Sequence, residues 1–179
     1  MKYNVGDIIP FEQIQEATDY VNSIDGCYYL EDYQTDEQGR MMLIVRQLPT
    51  PSLDELKTAK LQEVDVWTAN KITGGFISTA SGESVTYDSD KDTQLTMQGI
   101  ALNVNTPLFA SEYPNGCPVR GYPINSVSKH VYMLNAEQIL RWCADLSMHI
   151  GTCKQRGWEL QAMVKACATN EELEAIVLE

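Results

Sequence analysis

Few side chains in this sequence are spaced closely enough to suggest chemistry. Asp88, Asp90 and Asp92 alternate in a short acidic run. Alternating carboxylates are what a calcium loop offers, but neither the glycine nor the distal glutamate that completes such a loop follows in pattern. The same three charges suit the start of a helix, beside its positive end. His149 and Cys153 lie one helical turn apart and share a face. Cys143 is six residues before His149, ~240° around a helix, and His130 and Cys117 would have to arrive from a distant loop. That spacing fits no zinc-ligand pattern, so no metal and no cofactor are expected. A catalytic Ser or Cys needs a base, and the two histidines stand in no recognisable nucleophile motif. Gly74-Gly75 has no Lys-Ser or Lys-Thr after it and is not a phosphate loop. No catalytic residue is assigned.

Tyrosines form the more informative group. On a strand, Tyr29 and Tyr33 face one way and Tyr28 the other, so a thin ribbon would carry large amphipathic rings on both faces. Either the rings pack on the first helix and the larger domain, or they offer a partner surface, for which tyrosine supplies area at low entropic cost. Tyr113 and Tyr122, within a Pro-rich stretch, pose the same choice. These five are the candidate partner-binding residues.

The elements that position them follow from periodicity. Phe11, Ile14, Ala17, Val21 and Ile24 draw one apolar stripe along a helix, with Gly26 as its C-terminal cap. Cys27–Gln34 and Arg40–Leu48 are strand-like runs joined by a polar turn ending in Gly39. Leu48-Pro49-Thr50-Pro51-Ser52 marks a boundary, because two prolines remove donors and favour extended neighbours. Ser52 with Glu55 reads as a capping box for a helix that runs to about Asn70. Phe76–Thr79 and Ser84–Tyr87 form a hairpin, and Ser89 is placed as N-cap of the next helix, accepting from the Asp92 amide. Pro107, Pro114, Pro118 and Pro123 exclude a long helix, leaving two short strands at Val119–Ile124 and His130–Leu134. A connection of this length marks the Pro-rich stretch as a candidate contact surface. Asn135 caps the longest helix, with a bend or break expected near Gly157, and Thr169 with Glu172 opens a last short one.

The expected fold is therefore α+β, with a small helix-plus-β-hairpin unit over residues 1–50. Residues 51–179 form a mainly helical domain with a small antiparallel β element. The chain of 179 residues is 44% hydrophobic, enough for a proper core. A net charge of −12 argues against nucleic-acid binding, which relies on clustered Lys and Arg. Half of that charge lies in the first 50 residues, where three cations oppose nine carboxylates. No run is long and apolar enough to span a bilayer, and the first residues lack the apolar stretch of a secretory signal. Five dispersed cysteines without a CxxC pair fit a reducing compartment.

Phe76 after two glycines, Tyr87-Asp88-Ser89-Asp90, Gln94-Leu95 and the run from Thr169 to Ile176 together resemble an uncharacterised domain family of tailed-phage fibre and tail-assembly proteins, over about residues 52–179. The resemblance implies a virion or virion-assembly setting and carries no catalytic residues. The expectation is a non-catalytic tail protein working through protein–protein contacts, either a tail, baseplate or fibre-attachment component or a fibre-assembly chaperone. Its partners would be other tail or fibre proteins, or further copies of itself. It would reside in the virion tail, or in the host cytoplasm during assembly. Two alternatives come from the residues: a hydrolase with carboxylates gathered between the Pro-rich loop and the hairpin, and an acidic regulatory protein that binds a host factor.

Overall fold

Alternation of apolar and polar residues, broken by glycine turns and helix caps, yields an α+β fold. The computed structural model describes residues 2–24 and 28–179. The chain divides into two compact units, Met1–Ser52 and Leu53–Glu179.

In the first unit, β1 (Ile8–Ile9), β2 (Tyr28–Thr35) and β3 (Met41–Gln47) form an antiparallel sheet in the order β1-β3-β2. Helix α1 (Ile14–Ser23) sets Ala17 and Ile14 against Ile9, Val45, Leu30 and Tyr28. The turn before β3 is held by Asp36, which accepts from the amides of Gln38 and Arg40 and from the Arg40 guanidinium. These bonds, the Arg40 amide foremost, keep its carboxyl below the usual aspartate range. Strand β1 was not expected, since two residues carry no readable period. Phe11 departs from the expected stripe. It lies in a 3-10 turn (Phe11–Gln13) ahead of α1, out of phase with the helix, and is exposed beneath the Arg40 guanidinium. The expected cap at Gly26 and the strand start at Cys27 lie outside the described residues.

In the second unit, α2 (Leu53–Thr73) leads into β4 (Phe76–Ser78), β5 (Val85–Tyr87), α3 (Lys91–Asn103) and α4 (Pro107–Glu112). Strands β6 (Cys117–Pro123) and β7 (His130–Leu134) follow, then α5 (Ala136–Ala166) and α6 (Asn170–Glu174). The two hairpins join into one antiparallel sheet in the order β4-β5-β6-β7. Its inner face packs Phe76, Val85, Tyr87, Val119 and Leu134 against Trp142 and Leu146 of α5 and Met97 of α3. A second core joins Val64 of α2 to Leu160 and Val164 of α5 and Leu173 of α6.

Three local expectations change. Asp90, not Ser89, caps α3, accepting from the Thr93 amide at 2.9 Å and its hydroxyl at 2.7 Å. Ser89 is fully buried: its hydroxyl donates to the Ile72 carbonyl at 2.5 Å and accepts from the Gly75 amide at 2.8 Å, tying the end of α2 to the start of α3. Within the Pro-rich stretch, Pro107 opens the short helix α4, where its missing N–H costs nothing, and Thr106 caps it. Helix α5 runs unbroken through Gly157. A Cβ there would stand 2.4 Å from the Thr68 hydroxyl of α2, so this glycine serves a close helix contact rather than a break.

Candidate functional site

Several of the groups singled out for chemistry are taken up in structural bonds. His149 Nε2 lies 3.0 Å from the Lys71 carbonyl, which makes that nitrogen the donor, while Cys153 Sγ is 3.7 Å from it. Burial raises the Cys153 thiol above its ordinary pKa, as it does those of Cys117 and Cys143, against thiolate character. Cys143 faces elsewhere, toward the Met97 carbonyl. Among the described residues no three His, Cys, Asp or Glu side chains gather as a metal site would require. Asp88 pairs with Lys129 from the β6–β7 loop, so loop and hairpin do meet, but as carboxylate and cation rather than as two carboxylates. Ser78 is buried, donating to Asp145 at 2.7 Å and accepting from the Ala80 amide, with no histidine bonded to it.

The tyrosines separate. Tyr28 turns inward and packs partly buried beside Leu30 on the first unit's core, as strand alternation requires. Tyr29 and Tyr33 stand 40% and 47% exposed on the other side. Both lie near Arg46, which Glu31 holds at 2.6 Å; that ion pair, more than the phenols, raises the guanidinium pKa. A bulge in β2 falls between Asp32 and Gln34, so Tyr33 has no cross-strand partner. Tyr113 ends α4, packs on Phe109 with ring centroids 4.9 Å apart, and lines a cavity of about 460 Å³ with Met133 and Asn135. Tyr122 is half-buried under Lys129, whose ammonium sits 5.1 Å from the ring centre.

Tyr122 belongs to a feature that the sequence did not disclose. Cross-strand pairs put Ile77, Thr86, Tyr122, Arg120, Pro118, Val131 and Met133 together on the outer face of the four-stranded sheet. Ile77, Val131 and Met133 are 60%, 59% and 51% exposed, with Ile124 and Val127 exposed in the adjoining loop. Arg120 is the one charge among the seven. A solvated antiparallel face is ordinarily polar, whereas this one leaves apolar side chains exposed at both edges, Ile77 on β4 and Val131 and Met133 on β7. The inner face carries its own irregularity: the Trp142 indole N–H is buried with no hydrogen-bond partner among the described residues, and the buried Tyr87 and Tyr132 hydroxyls interact only with Ser81 and Glu83. Burial, and then the Glu83 carboxylate, push Tyr132 up to about 12.

Residues 55–177 match the model of a family described as a domain of unknown function, DUF4376. The chain belongs to this family. The DUF4376 span takes in β4 to β7 and all of α3 to α6, so both faces of the four-stranded sheet lie inside it. The family's description names no activity, substrate or partner. Comparison with curated proteins and with solved structures gives no match.

Proposed function

We propose that this protein works by protein–protein contact rather than catalysis, as a component of a bacteriophage tail or as an assembly factor for its fibres. The observation that carries the contact reading is the outer face of the four-stranded sheet, where Ile77, Val131 and Met133 stay exposed although folding makes no use of them. The exposed pair Tyr29 and Tyr33 in the first unit supports it in the same sense. The tail setting rests on the resemblance of the Phe76, Tyr87–Asp90 and Thr169–Ile176 motifs to tail-assembly domains.

The experiment places a photo-crosslinking amino acid at position 133, or at position 29, of the chain produced during infection by a phage that encodes it. Crosslinked products in purified particles and in infected-cell lysate are identified by peptide mass spectrometry. A crosslink to a tail or fibre protein in particles, at fixed stoichiometry, assigns a virion component; the same crosslink only in lysate assigns an assembly factor. No crosslink to any such protein from either position overturns the proposal.

A further inference from the structure

Strand β4 ends the second unit's sheet, and among the described residues no strand pairs with its other edge. Such an edge presents unpaired N–H and C=O groups, which proteins commonly cover. Here a groove of about 670 Å³ runs along it. One wall is the five consecutive residues 75–79, whose side chains alternate between faces; the Gly75 amide is held by Ser89 and the Thr79 carbonyl by the Gly82 amide, so the open part of the edge is β4 itself. The other wall is one side of α5, from Arg141 through Asp145 and Met148 to Thr152. The three residues of β4 with one on each side span ~17 Å and the helix from position 141 to 152 spans ~16 Å, so the walls match in length.

The groove's charge is equally defined. Both oxygens of Asp145 are occupied, one by the Ser78 hydroxyl at 2.7 Å and the other by Arg141 Nε at 2.8 Å. Arg141 is thereby oriented while its two terminal amino groups have no partner among the described residues. The Arg141–Asp145 pair leaves the groove formally neutral, with the two terminal guanidinium groups as free N–H donors for an incoming carboxylate. Exposed Ile77 and Met148 add apolar surface beside it.

We propose that the groove takes an extended segment of a partner protein, which adds to the sheet beside β4 and sets an acidic side chain on Arg141. The open ladder supplies main-chain bonds, Ile77 and Met148 receive an apolar side chain, and the guanidinium selects Asp or Glu. This site shares Ile77 and Thr86 with the outer sheet face, but its strand edge and Arg141 are its own, and the test below reads those alone.

The test selects binders to the full chain from a pool of acetylated, amidated random octapeptides. The expected binders combine apolar residues with one Asp or Glu and slow amide exchange at residues 76–78. Replacing that acidic residue by its amide, or Arg141→Gln in the protein, weakens them about 10-fold or more, the scale of a charge-assisted bond. Methylating alternate peptide nitrogens abolishes binding by removing ladder donors. The proposal is overturned if no peptide is selected, if binders carry no acidic preference or ignore Arg141→Gln, or if protection falls outside the groove. It is overturned as well if the free chain dimerises and thereby protects residues 76–78 itself, since the occupant is then a second copy.

Discussion

The two faces of the four-stranded sheet obey different rules. On the inner face the apolar side chains meet one another: Phe76 lies against Tyr87 and Trp142, with ring centroids 5.8 and 6.4 Å apart, and Gly121 leaves just enough room for Val85 and the Tyr87 ring. On the outer face, residues of the same apolar character meet nothing that the fold requires. Packing accounts for the first face and leaves the second unexplained, which is the ground of the proposal that a partner covers it. Helix α5 repeats the contrast along its own length, with Gly157 pressed on Thr68 and Gly151 facing open space.

The comparison sharpens through variants that should differ in size of effect. Trp142→Ala should be the most damaging, destabilising the second unit by about 3–5 kcal/mol in denaturant unfolding. Trp142→Phe should cost far less, because it also removes an indole N–H that is buried without a partner. Gly121→Ala should cost about 1–3 kcal/mol, since the new methyl would stand 2.4 Å from Val85 Cγ1 and 2.8 Å from the Tyr87 ring. In α5, Gly157→Ala should be destabilising despite alanine's better helix propensity, whereas Gly151→Ala should gain up to ~1 kcal/mol. Equal effects at the two glycines would break the distinction between packed and open sides. Val131→Thr and Met133→Gln should each change stability by no more than ~0.5 kcal/mol, as open positions do.

Much of the fold was legible because its signals are local. Most of the helix stripes, the Gly39 turn, the Asn135 cap, the β4–β5 hairpin and the strands β6 and β7 lie within a few residues of the features that specify them. Ser89 was misassigned for the opposite reason: its partners, Ile72 and Gly75, lie 17 and 14 residues away, and serine's short-range role as a cap is the stronger local signal. The outer face was invisible because it arises when β5 pairs with β6, Thr86 opposite Tyr122, and no pattern within either hairpin fixes that register. Of the five tyrosines, alternation correctly separated Tyr28 from Tyr29, but the covering of Tyr122 by Lys129 depends on how the β6–β7 loop folds back.

For the proposed tail function the most direct measurement is plaque titre, with a phage deleted for this chain and supplied with variants in trans. One variant combines Val131→Thr with Met133→Gln on the outer face; another combines Asp88→Asn, Asp92→Asn and His149→Gln, the side chains best placed for chemistry. With both shown to be folded by circular dichroism, the account predicts that the outer-face variant loses at least ~10-fold in titre, as loss of interface anchors implies, while the other complements like the parent chain. Full complementation by the outer-face variant and failure of the second would contradict it.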